Sequence, residues 1–126
     1  MDRDRVLRDF VERLNRAWLD LRFDDLRLCF HNDAILMPPG ADEAIVGADA
    51  IVASYRQFTS LATIQRFEIT RCDLFGRNDV TFCHAFFTIE YTVEGKRSQE
   101  RGCEIYAIDT SGSAPLVVWR TQLTIE

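Results

Sequence analysis

Residues 79–109, DVTFCHAFFTIEYTVEGKRSQERGCEIYAID, read as two long strands folded back on each other. β-Branched and aromatic residues dominate both halves, and Glu94-Gly95 between them is a two-residue turn signal. Working outward, Ser111-Gly112-Ser113 separates a further run, Leu116 to Ile125. On the other side, Gly76-Arg77-Asn78-Asp79 sets off Thr63 to Phe75. The spacing therefore predicts four strands, about 63–75, 79–93, 97–109 and 116–125, joined as consecutive antiparallel hairpins. Strands this long curl strongly, and a curled antiparallel sheet needs helices over its concave face.

The N-terminal half supplies them. Val6, Leu7, Phe10, Val11, Leu14, Ala17, Trp18 and Leu21 recur at intervals of three and four, the stripe of an amphipathic helix. Asp24-Asp25 offers an N-cap for a short second helix with Leu26, Cys29 and Phe30 on its inner side, and His31 at its end, where a cation suits the dipole. Ala34 to Met37 is a short strand stopped by Pro38-Pro39-Gly40. A third helix carries Asp49, Ile51, Val52, Tyr55 and Phe58 and ends near Ser60. Three helices followed by a meander is an α+β plan, and 126 residues are the size of one domain, spanning 1–126 around one core.

The formal charge of -5 and pI near 5.0 exclude an electrostatic hold on phosphate backbones or anionic lipid, so neither nucleic acid nor a membrane is an expected partner. Arg3, Arg5, Arg8, Arg13 and Arg16 are balanced by Asp2, Asp4, Asp9 and Glu12 on a solvated helix face. No apolar run approaches the roughly 18 residues of a membrane span and no signal-peptide pattern opens the chain, so the expected compartment is the cytosol. Cys29, Cys72, Cys83 and Cys103 form no C-x-x-C pair; reduced, mostly buried thiols are expected.

Trp18-Leu19-Asp20, Asp24-Asp25-Leu26, Phe30-His31-Asn32-Asp33-Ala34, Pro38-Pro39-Gly40, Gly47, Ile51 and Tyr55 together resemble the opening of nuclear transport factor 2-like proteins. That superfamily takes in ketosteroid isomerases, SnoaL-like polyketide cyclases and a calmodulin-dependent kinase association domain. Glu104-Ile105-Tyr106 and Trp119-Arg120-Thr121-Gln122 fall where it places its last hairpin. The resemblance covers essentially the whole chain and implies a cone-shaped, cystatin-like curled sheet covered by N-terminal helices. The fold hosts many unrelated activities. Matched residue by residue to the isomerases, the general-base position falls on Pro38, which has no proton to move, and the helix-one oxyanion donor falls near Leu14. Only the carboxylic acid of the penultimate strand has a counterpart, Glu104, so steroid-type proton transfer is not implied.

Period-two alternation sorts the strands into faces. With Glu104 pointing into the cone, Gly102 and Tyr106 follow, and the family matching adds Phe87, Ile89, Tyr91, Trp119 and Thr121. Leu14, Trp18, Met37, Tyr55 and Phe58 complete a mostly aromatic pocket for a small apolar or aromatic ligand. Glu104 is the sharpest candidate for chemistry, as acid or base, because an apolar cone favours its neutral form; Tyr91 and Tyr106 are its expected donors. The alternative is that Glu104 pairs with Arg101, Arg120 or Arg71 as a structural ion pair.

His84 shares the opposite face with Phe82, Phe86 and Glu90 and lacks a third ligand for a metal site. Cys83 and His84 point to opposite faces, which separates a nucleophile from its base. No Gly-rich phosphate loop, dinucleotide fingerprint or Ser-His-Asp set appears, so no cofactor is expected. The face carrying Phe82, Phe86 and Val80 is too apolar for an exposed sheet, which points to a homodimer through the sheet, with cover by the same chain as the alternative. Three functions follow: a small-molecule-binding domain, a cofactor-independent isomerase, cyclase or lyase using Glu104, and a homo-oligomerisation module.

Overall fold

The computed structural model describes residues 2–40 and 43–125. Helix α1 spans Arg3–Leu19, capped by Asp2, whose carboxylate accepts from the N–H groups of Asp4 (3.1 Å) and Arg5 (3.3 Å). Leu7, Phe10, Val11, Leu14, Asn15, Ala17 and Trp18 are its buried stripe. Leu21, which the periodicity includes, lies past the helix end with φ 60° and its side chain exposed.

The second helix, α2, is Phe23–Arg27, with Asp24 and Asp25 in its first turn rather than at its cap. Carboxylates there suit the positive end of the helix as well as a cap does. Cys29 and Phe30 fall outside it: Phe30 opens strand β1, Phe30–Met37. His31 is therefore a strand residue, whose Nδ1 accepts from the Asp33 N–H (3.1 Å), and not a helix-end cation. A two-residue strand, β2 (Ile45–Val46), precedes α3 (Ala48–Leu61).

The meander follows as β3 (Ala62–Arg77), β4 (Val80–Val93), β5 (Lys96–Asp109) and β6 (Leu116–Ile125), all antiparallel neighbours. Glu94 (φ 51°) and Gly95 (φ 78°) make the two-residue turn between β4 and β5 with both residues left-handed, the twist-compatible hairpin geometry. The strand order is β2-β1-β6-β5-β4-β3, so β1 lies parallel to β6, with β2 and β3 at the two edges of the sheet.

Register shifts interrupt β3 between Ile64 and Arg66 and between Ile69 and Arg71, and the β5–β6 pair between Ala107 and Ile108. Such bulges bend a strand and add twist, which is how a six-stranded sheet curls without closing. The concave face takes α1 and α3; Leu7, Leu14, Ile51, Tyr106, Ile108 and Val117 are wholly buried between them. On the convex face Phe75 (55%), Phe82 (45%) and Leu123 (55%) stay exposed. No helix of the described residues is long and apolar enough to cross a membrane.

Candidate functional site

Between the helices and the concave face lies a cavity of about 460 Å³, within the usual size of small-molecule sites. Its wall is aromatic because the inward positions of α1, α3, β3 and β4 are: Trp18, Tyr55, Phe58, Phe67 and Phe87 all line it. The rings hold one another. Trp18 meets Phe67 edge-on at 5.5 Å and Tyr55 at 5.8 Å, and Phe67 stacks on Phe87 at 5.5 Å. Asn15, buried in mid-helix, donates to the Val11 carbonyl (3.0 Å) and accepts from Trp18 Nε1 (2.9 Å), which fixes the indole against the wall.

Phe87 needs Gly102. The two stand directly opposite on β4 and β5, and a Cβ at position 102 would lie 2.6 Å from Phe87 Cζ and 2.8 Å from the Leu123 carbonyl oxygen. The ring therefore lies across bare backbone, a close approach that only glycine permits.

The floor is ionic. Glu104 and Arg120, 2% and 7% exposed, line the cavity and pair at 2.7 Å through Glu104 Oε2, which also accepts from the Tyr106 hydroxyl at 2.5 Å. Tyr106 reaches that carboxylate because residues two apart share a strand face. The same Arg120 nitrogen donates to Gln122 Oε1 (3.1 Å), and the guanidinium lies 5.5 Å and 5.7 Å from the Tyr55 and Tyr106 ring centres. Burial disfavours the Arg120 cation, but the Tyr55, Glu104 and Tyr106 oxygens outweigh it and hold its pKa above the ordinary guanidinium value. Burial, against the nearby Arg120 charge, pushes Tyr55 up to about 12; burial and then Glu104 push Tyr106 well above the phenol range. Three polar atoms find no protein partner among the described residues: Glu104 Oε1, Arg120 Nε and the Tyr55 hydroxyl. All three belong to cavity-lining side chains.

Of the residues expected at the pocket, Trp18, Tyr55, Phe58, Phe87, Ile89, Tyr91 and Glu104 line the cavity. Leu14 and Tyr106 are fully buried in the core instead, Tyr106 reaching the site only through its bond to Glu104. Met37, Trp119 and Thr121 do not line it; Leu36, Pro38, Arg120, Gln122 and Thr124 do. The cause is the bulge at Val118: Val117 opposes Ile108 while Trp119 opposes Ala107, so the alternation of β6 slips by one. β1 follows β6, Leu36 beside Arg120 and Met37 beside Thr121, whose hydroxyl donates to the Met37 carbonyl at 3.0 Å.

Tyr91 is not a donor to Glu104. It opposes Ser98, six residues along β5 from Glu104 and thus about 20 Å away at strand rise, and its hydroxyl donates to the Glu100 carboxylate at the exposed rim (3.0 and 3.1 Å). Of the three arginines weighed as partners of Glu104, Arg120 is the one that pairs with it. Phe67 and Gln122 carried no recognised signal, because β3 has two bulges and β6 one, and alternation fails across each. His84 packs edge-on against Phe75 at 5.3 Å on the convex side, and among the described residues no three His, Cys, Asp or Glu side chains gather as a metal would require.

The backbone superposes on solved structures along nearly its whole length. A ketosteroid isomerase-like protein from Erwinia carotovora atroseptica matches with TM-score 0.83 and 16% identity, covering 100% of this chain and 99% of that one. An NTF2-like protein from Cytophaga hutchinsonii gives TM-score 0.83 at 14% identity, covering 99% of this chain and 100% of that one. The beta subunit of the benzoate 1,2-dioxygenase from Burkholderia mallei gives 0.76 at 18%, covering 94% and 88%. At such identities the likeness is one of fold. No curated protein matches the sequence. The profile of the SnoaL-like domain matches residues 9–113, and the chain therefore belongs to the SnoaL-like domain family.

Proposed function

We infer that this domain binds a small molecule with an aromatic or apolar body and a neutral polar head that both donates and accepts hydrogen bonds. The observation that carries this reading is that three buried, unpartnered polar atoms belong to side chains lining a largely apolar, aromatic-rich cavity. Glu104 Oε1 asks for a donor, Arg120 Nε for an acceptor, and the Tyr55 hydroxyl takes either. A carboxamide or a hydroxy-carbonyl group supplies both; a carboxylate meets Glu104 with like charge, and a hydrocarbon leaves all three atoms bare. An acid–base role for Glu104 is the weaker reading, because Oε2 is held by both Arg120 and Tyr106.

Calorimetric titration with naphthylacetamide, naphthylacetate and methylnaphthalene tests this. The amide should bind roughly threefold to tenfold tighter than either analogue, the worth of one net hydrogen bond. Filling the cavity with Gln122→Phe should remove binding of all three. Equal affinities for amide and hydrocarbon would rule out head-group recognition, and binding unchanged in Gln122→Phe would place the ligand elsewhere.

Assembly of two copies through the convex face belongs to the same reading. Phe75, Phe82 and Leu123 are the support, large apolar side chains exposed on one sheet face, with Phe75 directly opposite Phe82. Sedimentation equilibrium of Phe82→Glu against the wild type tests it: a shift from dimer to monomer is expected, and a monomeric wild type would refute it.

A further inference from the structure

Two cysteines meet under α1, on strands that run beside the ionic floor. Cys72 of β3 and Cys83 of β4 are diagonal neighbours, Leu74 opposing Cys83 and Ala85 opposing Cys72, with their side chains on the concave face. Their sulfurs are 3.2 Å apart, within hydrogen-bond reach. The two differ in access: Cys83 is wholly buried, whereas Cys72 is only half-buried. Over Cys72 stands Arg8 of α1, whose guanidinium donates to the Cys72 carbonyl at 3.3 and 3.4 Å.

We propose that Cys72 and Cys83 are a reversible dithiol, in which Cys72 reacts with hydroperoxides and Cys83 resolves the product to an intrachain disulfide. The chemistry balances with the peroxide as the only oxidant. The Cys72 thiolate attacks one peroxide oxygen, the O–O bond breaks, and the leaving oxygen departs as an alcohol or water after taking up a proton. Cys83 sulfur then attacks the Cys72 sulfenic acid; the S–O bond breaks and its hydroxyl leaves as water with the Cys83 proton. Two thiols have given two electrons to one peroxide.

The division of labour follows from the surroundings. The hydrogen-bonding contact with Cys83 favours the Cys72 thiolate, and Arg8 adds to it against the cost of burial, so the Cys72 pKa is lowered. Cys83, sharing that contact and wholly buried, is pushed up by it and by burial. Burial raises Cys29 and Cys103 as well, which leaves Cys72 as the thiol favoured for attack. The bridge would also touch the site, since Cys83 directly opposes Tyr106 and Ala85 directly opposes Glu104.

The test is to treat the reduced full chain with a small excess of hydrogen peroxide, then count thiols in denaturant and map the oxidised peptides. Four free thiols should fall to two, the intact mass should drop by two hydrogens, and the bridged peptide should join Cys72 to Cys83. A dithiol reductant should restore all four. In Cys83→Ala, Cys72 should instead stop as a dimedone-reactive sulfenic acid, and Arg8→Leu should slow Cys72 oxidation severalfold. Cys72 gaining oxygen while Cys83 remains alkylable in the wild type, or a bridge joining any other pair, overturns the proposal. The wild-type map decides this even if Cys83→Ala does not fold.

Discussion

The wall and the floor of the cavity are built from opposite materials, and they answer to different rules. The wall is a set of rings, Trp18, Tyr55, Phe58, Phe67 and Phe87, each contributing area and shape in proportion to what it buries. The floor is an ion pair, Glu104 and Arg120, nearly sealed from water and tied to Tyr106. Its members are not separable: either charge alone in that place has lost its hydration and its partner at once. A wall can be retuned one residue at a time, whereas a floor of this kind changes as a unit.

The sharpest way to break that contrast is Arg120→Met. Leaving Glu104 buried and unpaired should cost about 3–5 kcal/mol of stability in urea unfolding, while the double change Arg120→Met with Glu104→Gln should recover much of it. Single and double variants of equal stability would mean the floor is as divisible as the wall.

Alkali offers a second route to the same region. Tyr55 has its pKa pushed up to about 12, so the folded state holds that proton more tightly than the unfolded chain does. Its contribution is intact below the ordinary phenol value near 10 and is lost as the pH rises toward 12, about 3 kcal/mol over that interval. Phenolate absorbance from Tyr55 and Tyr106 should therefore appear together with unfolding, not before it. Early ionisation of two or more of the three tyrosines would show an open, hydrated floor.

On the wall, Gly102→Ala is the demanding change. The added methyl meets both the Phe87 ring and the rigid Leu123 carbonyl, so the ring must move and β5 with it. A loss of about 1–3 kcal/mol is expected, read by chemical denaturation, together with weaker binding of aromatic amides. An unchanged midpoint would show that Phe87 relaxes freely and that the wall is looser than its ring contacts imply.

How far such a site can be seen in sequence depended on whether a strand kept its alternation. β4 has an uninterrupted register against β5, so Gly102, which period-two counting from Glu104 turns inward, and Phe87, Ile89 and Tyr91, which the family matching adds, share one face with Glu104. β6 carries one extra residue at Val118, a bulge that no turn residue marks, and every side chain beyond it is reversed: Trp119 and Thr121 turn away, Arg120 and Gln122 turn in. The fold was legible because helix stripes and hairpin turns are local signals. The ion pair was only one of several partners open to Glu104, because joining Arg120 to it requires the register of two strands at once. The parallel pairing of β1 with β6 and the two-residue β2 were not visible at all, since both are fixed by contacts distant in the chain.

The smallest expected effect is at the rim, and it separates the two regions most directly. Tyr91 and Tyr106 both donate to a carboxylate, Tyr91 to the exposed Glu100 and Tyr106 to the buried Glu104. Removing the Tyr91 hydroxyl leaves Glu100 to water, so Tyr91→Phe should change stability by no more than about 0.5 kcal/mol. Its ring still meets Phe58 edge-on at 5.7 Å and keeps the wall's shape, so affinity for an aromatic amide should be unaltered. Tyr106→Phe takes the same atom from a carboxylate that water does not replace, and should cost about 1–3 kcal/mol. Equal losses for the two, measured side by side in urea, would mean that burial does not set the worth of these bonds and that the floor holds together for another reason.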